Sequence, residues 1–492
     1  MDDDQMDYDQ MDDDQMDDDQ MDDDQMDYDQ MDYDLMVIGS GPGGYHAAIR
    51  AAQLGLKVAC VEREQVGGVC LNVGCIPTKA LLHVAADLRE AKEAKAYGVS
   101  FGEPKIDLGA LEKWKASVVA KMTGGVKMLF KGNKVELLEG TARFVDPHTV
   151  EVGKARYSAA RIIVATGSEP IAIPGFEVDG TTVVDSTGAL LISEIPKRFL
   201  AIGGSAIGLE FCDIYHAFGS QTTVVELMEQ LTPASDPDVA QVLRRSFEKR
   251  GISVRTATRA VSQQRTDDGI EVLLETQGGE RETLVADEIL VAVGRRPRSG
   301  GLGLDAAGVG VDERGFIPVN SHLQTNVEHI YAIGDVARPP MLAHKAMKEG
   351  LVAAEHAAGK PSAYDTMVPS VIYTTPELAG VGMTEREARE AGHRVRIGTF
   401  PLAASGRAVI LGASEGMVKL IGDEKTDLLL GFHMVGPGAG DLVAEAALAI
   451  EMGATLEDIA LTQHPHPTIA EALMEAAEHA HGQAIHIANP KR

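Results

Sequence analysis

The amino-acid pattern calls for an α/β chain with two βαβ units and, after them, a separate α+β block. Two glycine-rich loops, each between an apolar strand and a helix, and a change to alternating strands beyond Pro361 carry that reading. The first unit is a strand at 35–38, the loop Gly39-Ser40-Gly41-Pro42-Gly43-Gly44, a helix, and a strand at 58–61 ending at Glu62. A lone GxGxxG is weak evidence. Here it follows a strand, opens a helix and has an acid about twenty residues on, which is the Rossmann-like arrangement that takes a dinucleotide. The second unit is a strand at 199–202, the loop Gly203-Gly204-Ser205-Ala206-Ile207-Gly208, a helix, and a strand at 222–225 ending at Glu226. Two such units mean two nucleotides, or one duplication with one site lost.

Between the units lie alternating strands at 135–138 and 149–152, then an apolar strand at 161–165 ending in Thr166-Gly167-Ser168. After the second unit, 287–293 has a buried-strand pattern ending in Gly294-Arg295-Arg296-Pro297, and a short strand at 330–333 ends in Gly334-Asp335. The final block carries strands at 417–421 and 428–435, amphipathic helices at 442–452 and 469–481, and no phosphate loop. The length of 492 residues with 44% apolar content suffices for three or four domains with real cores.

Residues 1–30 are six pentads of the form Met-Asp-(Asp/Tyr)-Asp-Gln that copy Met31-Asp32-Tyr33-Asp34; without their sixteen Asp the net charge goes from −29 to −13. Such a block cannot bury a core and is expected to be disordered. A tether to a basic partner or weak cation binding is the alternative, although the Gly and Glu of an EF-hand loop are missing. The residual −13 and the lack of a basic stripe argue against nucleic acid. No run of 18 apolar residues is evident and the N-terminus has no apolar signal region, so the expectation is a cytoplasmic protein without a membrane span. Four Cys in a chain this long are not a secreted disulfide scaffold.

Two of those cysteines carry chemistry. Gly67-Gly68-Val69-Cys70-Leu71-Asn72-Val73-Gly74-Cys75-Ile76-Pro77-Thr78-Lys79 places Cys70 and Cys75 five apart, just after the first nucleotide unit. In a straight helix such residues are about 140° apart and about 7.5 Å along the axis, which puts their Cα atoms beyond the ~7 Å reach of a disulfide. A bridge therefore needs an irregular turn, for which Gly74 supplies the freedom and Pro77 suits the first turn of the next helix. The pair implies electrons passing between a cofactor and a disulfide; two buried structural thiols are the plain alternative. Cys60 and Cys212, isolated in apolar patterns, read as core packing.

With these landmarks, and Leu461-Thr462-Gln463-His464-Pro465-His466-Pro467-Thr468-Ile469-Ala470-Glu471 near the C-terminus, the chain from Met31 onward resembles the flavoprotein disulfide reductases, most closely their dihydrolipoamide-oxidising branch. The resemblance implies an α/β fold with two Rossmann-like dinucleotide-binding domains, for FAD (31–168) and NAD (169–297), a central domain completing the FAD site (298–361), and an α+β C-terminal dimerisation domain (362–492). It implies that Gly39, Gly41, Pro42, Gly43 and Gly44 receive the FAD pyrophosphate at a helix N-terminus, that Glu62 binds the adenosine ribose, and that Thr166 and Gly167 form a turn against the flavin nucleotide. Asp335 would hold the ribityl chain, and the N–H groups of Leu342, Ala343 and His344 would face the flavin. Lys79 and Glu210 would pair beside it; surface charge is the alternative for each.

By the same resemblance Cys70 exchanges with substrate and Cys75 lies against the flavin. His466 is the base, oriented by Glu471, both from the other subunit of a homodimer. The His466–Pro467 bond is expected to be cis. His464 competes for the role but reads as structural, and with no third ligand evident no metal site is expected. Gly203, Gly204, Ser205, Ile207, Gly208 and Gly294 would hold NAD, with Glu226 on its ribose repelling the 2′-phosphate of NADP. Ser205 departs from the pattern, because glycine is usual there for close approach to pyrophosphate; NAD binding is expected to survive but weaken. Cys212 and Asp213 stand where small or apolar residues are usual. The expected activity is oxidation of protein-bound dihydrolipoamide with hydride passing through FAD to NAD, in partnership with the lipoyl-bearing acyltransferase of a 2-oxoacid dehydrogenase complex. The rival readings are a glutathione or mercuric reductase, disfavoured by the lack of an Arg cluster after Glu226 and of a C-terminal cysteine pair, and a flavin-loaded non-catalytic subunit with an impaired NAD site.

Overall fold

The computed structural model describes residues 30–490, so the acidic repeat expected to be disordered lies, but for Gln30, outside the described residues. Among these residues the strands make five sheets. The apolar run Tyr33–Ile38 pairs in parallel with Val58–Glu62 on one side and with Ala155–Val164 on the other. A parallel strand is covered on both faces by crossover helices, which is why it reads as continuously apolar; Leu35, Met36, Val37, Ile162, Ile163 and Val164 are wholly buried. The strand Ile330–Ala332 adds to Ala155–Val164 from far along the chain. The segment that follows brings the helix Ala343–Ala357 onto Pro42–Gln53, where a Cβ on Gly350 would overlap the Gly43 carbonyl.

The second unit builds a parallel sheet in the order Ser253–Arg255, Gln221–Val225, Arg198–Ile202, Glu288–Val291, Val183–Val184. Beside it stands an antiparallel meander, Thr258–Thr266, Gly269–Thr276 and Arg281–Ala286, which the sequence pattern did not single out because its outer face is polar and solvated. A two-stranded ribbon, Ser168–Pro170 against Arg295–Pro297, joins the first and second sheets. The last sheet is antiparallel, in the order Ser370–Ile372, Leu378–Gly382, Leu429–Val435, Met417–Asp423, Val395–Pro401. It buries one face against Ala439–Glu451 and Glu471–Ala480, the helices expected at 442–452 and 469–481.

The helical stretch Gly68–Tyr97 has a mean hydropathy of 1.4 over an 18-residue window and is by length and composition long and apolar enough to cross a membrane. Its valines and leucines contribute most of that value. Leu81, Leu82 and Ala85 are buried in a core shared with Leu209, Phe211 and Ile214 of the helix Ala206–Phe218, and a core helix of a globular protein meets the same criterion. Cys60 and Cys212 are also wholly buried, and burial pushes both thiols up.

Candidate active site

Three helix N-termini meet at one cavity of about 420 Å³. They open Pro42–Gln53, Ala206–Phe218 and Ala343–Ala357, and none of the three has a side-chain cap. Each leaves first-turn N–H groups unsatisfied and carries a partial positive charge, so a cavity walled by Gly41, Pro42, Gly43, Gly44, Ala206, Ile207, Leu342 and Ala343 suits an anionic, acceptor-rich ligand. The first loop shows why its glycines are needed. Gly39 sits at φ 104°, and a Cβ on Gly44 would overlap the Gly39 carbonyl oxygen, whereas a Cβ on Gly41 would meet nothing within 4 Å. Gly41 is thus the open place where a phosphate can approach. Glu62, at the end of its strand, accepts from the Ser40 N–H (3.0 Å) and hydroxyl (2.6 Å) and also lines the cavity.

Another wall is assembled from distant segments. Thr166 donates from Oγ1 to the Arg298 carbonyl (2.7 Å), and Gly167 takes φ 72°. Asp335 accepts from Ser168 Oγ (2.6 Å), and Arg295 reaches the same hydroxyl through Nε (2.7 Å) and the Ser168 carbonyl through Nη2 (2.8 Å). Burial lowers the Arg295 guanidinium and Asp335 offsets part of it. Arg295 and Ser168 both line the cavity and were missed as site residues. The run Gly294–Pro297 marked a strand end, but nothing local says that its first arginine meets a serine 127 residues away. The Gly334 N–H donates to Glu349 (2.6 Å), which also pairs with Arg338 (3.0 Å) and buried Lys345 (3.5 Å) and so fixes the loop. The His344 ring donates to the Pro369 carbonyl (2.6 Å) and is not part of the cavity wall.

Cys70, in the short helix Gly68–Val73, and Cys75, the first residue of Cys75–Glu93, are joined by a disulfide with Cα atoms 4.6 Å apart. The irregular turn the spacing requires is at Gly74 (φ −146°, ψ −114°), where a Cβ would lie 2.9 Å from the Val69 carbonyl oxygen. Both cysteines face the cavity. One turn into the second helix, Lys79 Nζ lies 2.9 and 2.8 Å from the two oxygens of Glu210, which is buried. Tyr373 completes the group: its N–H donates to Glu210 (3.0 Å) and its ring lies 4.8 Å from the Lys79 ammonium. No sequence signal pointed to Tyr373.

The second loop repeats the first. Gly203 takes φ 115° and a Cβ on Gly208 would overlap its carbonyl oxygen. Glu226 accepts from the Gly204 N–H (2.7 Å) and the Met228 N–H (2.8 Å). Ser205 occupies the place that Gly41 has in the first loop. It is exposed and extended (φ −108°, ψ −169°), without a capping bond, so serine fits there without backbone strain. Ala206 and Ile207 reach the cavity, while Gly203, Gly204, Ser205, Gly208, Glu226 and Gly294 are not among its lining residues. Cys212 and Asp213 leave the helix intact, both wholly buried.

His466 stands apart. Its side chain is 79% exposed, and Nδ1 lies 2.8 Å from Glu471. Burial pushes the Glu471 carboxyl up, but the Thr468 N–H and the His466 ring outweigh it and hold it below the ordinary range. The His466–Pro467 bond is cis. Neither residue lines the cavity of its own chain. The His464 ring lies between Glu445 (2.9 Å) and the Thr462 carbonyl (2.9 Å), and the Glu445 bond raises its affinity for a proton. Leu448, Met452 and Leu461 are exposed on the same C-terminal block.

The model for pyridine nucleotide-disulphide oxidoreductases matches residues 33–350, and that for their dimerisation domain matches 368–477. A dihydrolipoyl dehydrogenase of Thermus scotoductus is 60% identical over 457 residues, 92% of this chain and 99% of that protein. One from Haloferax volcanii is 47% identical over 92% of this chain and 98% of its own. Among solved structures, LpdA from Mycobacterium tuberculosis superposes with a TM-score of 0.83 at 26% identity, covering 90% of this chain and 99% of its own. The HOCl-induced flavoprotein disulfide reductase RclA from Escherichia coli gives 0.81 at 26% identity, covering 91% and 99%.

Proposed function

The chain belongs to the pyridine nucleotide-disulphide oxidoreductase family, and from it we propose a homodimeric flavoenzyme that oxidises protein-bound dihydrolipoamide and delivers the electrons to NAD. The observation that carries this reading is the Cys70–Cys75 disulfide on the wall of a cavity bounded by three uncapped helix N-termini. The residues fit FAD: Gly39, Gly41, Pro42, Gly43 and Gly44 take its pyrophosphate and Glu62 its ribose. Thr166, Gly167, Asp335 and the main chain of Leu342, Ala343 and His344 hold the rest. Bound FAD supplies the two-electron link between the cysteine pair and NAD.

The protein's own side chains do the following. His466 of the second copy, steadied by Glu471, takes a proton from a substrate thiol. The substrate sulfur attacks Cys70 Sγ, the Cys70–Cys75 bond breaks, and the electron pair leaves on Cys75, at a helix N-terminus that favours thiolate. The second substrate thiol then attacks the mixed disulfide, its proton passing to the departing Cys70 sulfur, so that the substrate's ring disulfide closes with His466 protonated, Cys70 a thiol and Cys75 a thiolate. Lys79, neutralised by Glu210, borders the cavity where the electrons pass on. Gly203, Gly204, Ser205, Ile207, Gly208 and Gly294 carry NAD, and the Glu226 carboxylate, already taken up by two backbone N–H groups, disfavours a 2′-phosphate. The exposed His466–Glu471 pair, away from its own chain's cavity, supports a site shared between two copies. The physiological partner is the lipoyl-bearing acyltransferase of a 2-oxoacid dehydrogenase complex in the cytoplasm, and the division into FAD (31–168), NAD (169–297), central (298–361) and dimerisation (362–492) parts goes with this reading.

The test is NAD-dependent oxidation of dihydrolipoamide by FAD-loaded protein, with NADP and with oxidised glutathione plus NADPH as controls. Rapid NADH formation with NAD alone is expected, and Cys75→Ser retains the flavin while abolishing turnover. Substantial turnover by that variant overturns the dithiol relay.

A further inference from the structure

Asp213 lies one helical turn beyond Glu210 on Ala206–Phe218 and is wholly buried. Its Oδ1 accepts from Arg89 Nη1 (3.2 Å) and Arg250 Nη1 (2.5 Å), and its Oδ2 accepts from the Thr375 N–H (2.9 Å). Arg89 also donates to the Thr375 hydroxyl (2.5 Å). Glu210 makes the same kind of double contact one turn earlier, with Lys79 and with the Tyr373 N–H. Lys79 and Arg89 share the helix that begins at Cys75, and Tyr373 and Thr375 share the segment after the strand Ser370–Ile372. Two carboxylates on one helix therefore pin the same two neighbours at two points about 4.5 Å apart along the axis. One such point permits rotation; two forbid it. Arg250 Nε and Nη2 are buried without hydrogen-bond partners, so the bond that Arg250 makes to Asp213 is its polar anchor in this interface.

We propose that Asp213 is a positioning residue, which locks the helix Ala206–Phe218 against the disulfide-bearing helix and the 373–375 segment and so holds Glu210 on Lys79 at the cavity wall. Without its charge, the guanidiniums of Arg89 and Arg250 confront each other in a water-poor interface, and repulsion between unscreened like charges drives the helices apart. The inference rests on the preceding section's placement of Lys79 and Glu210 beside the route of electron transfer.

Asp213→Asn tests it by two independent readouts. The first is amide hydrogen exchange of the whole protein at single-residue resolution. Exchange at both Thr375 and Tyr373 is expected to quicken about tenfold or more, because the Tyr373 N–H is held by Glu210 and reports its position. A purely local role speeds Thr375 alone, and that result overturns the proposal. The second is a double-mutant cycle with Glu210→Gln on kcat for dihydrolipoamide and NAD. Asp213→Asn alone lowers kcat about tenfold with KM for dihydrolipoamide unchanged, and in the Glu210→Gln background it has no further effect; full additivity refutes the lock. Should Asp213→Asn not fold, Arg89→Gln, whose shorter uncharged side chain unties the disulfide-bearing helix from Asp213 while the Arg250 and Thr375 N–H bonds stay, carries the kcat cycle with the same expected sign. If the wild-type protein itself lacks dihydrolipoamide turnover, the functional reading falls while the exchange measurement still decides the lock.

Discussion

Replacing Glu288 by Gln makes the protein more stable at pH 8 than at pH 5 relative to wild type. Glu288 opens the strand Glu288–Val291 beneath the helix Ala206–Phe218, and its Oε1 lies 3.2 Å from the Tyr215 hydroxyl, which is also 3.0 Å from the Ala189 carbonyl oxygen. Burial pushes the carboxyl up to about 7 from an ordinary 4.5, and the Tyr215 hydroxyl pulls weakly the other way. A carboxyl with a raised folded-state pKa binds its proton more tightly in the folded than in the unfolded chain. Its contribution is therefore fully present below about pH 4.5 and is lost as the pH climbs to about 7. At about 1.36 kcal/mol per unit the whole shift corresponds to roughly 3 kcal/mol, and partial solvent access reduces that to about 2 kcal/mol. Glutamine keeps the shape and a donor for Tyr215 but never ionises. Urea denaturation of FAD-loaded wild type and Glu288→Gln at pH 5 and pH 8 is the assay, with the difference between proteins as the observable. The variant gains about 2 kcal/mol at pH 8 and about 0.5 kcal/mol at pH 5. An equal difference at both pH values, or a less stable variant at pH 8, refutes the reasoning.

Gly44→Ala places a methyl on the Gly39 carbonyl oxygen; the protein purifies without yellow flavin, at about 1–3 kcal/mol lower stability for the overpacking, as absorbance and melting check. Ser205→Gly removes an exposed Cβ from the uncapped helix end. KM for NAD falls about threefold with kcat unchanged, in keeping with glycine's role there, and a rise would mean that the hydroxyl binds the phosphate. Glu471→Gln removes the carboxylate 2.8 Å from His466 Nδ1. Dithiol oxidation slows about a hundredfold while flavin content and dimer mass hold, as rapid mixing and light scattering check.

Much of the site was legible because it is local. The φ of 104° at Gly39 and 115° at Gly203, and the overlap that any Cβ at Gly44 or Gly208 would suffer, follow from how a strand turns into a helix within six residues. The break at Gly74 follows just as directly from the geometry of two cysteines five apart. What escaped was set by packing between distant segments. Arg295, Ser168 and Asp335 meet across 127 to 167 residues, and Tyr373 reaches Glu210 across 163. Asp213, which the pattern marked only as out of place, gathers Arg89, Arg250 and Thr375 from three other elements. Hydropathy alone likewise cannot tell the apolar stretch Gly68–Tyr97 from a membrane span; Leu81 and Leu82 do so by burying against a helix more than 120 residues away. The sequence by itself determined the two nucleotide loops, their acids and the cysteine pair, because backbone sterics and covalent reach act over a few consecutive residues. Tertiary structure alone decided which buried charges neutralise one another and which helix ends share a cavity, because a side chain's partners depend on where every other element packs.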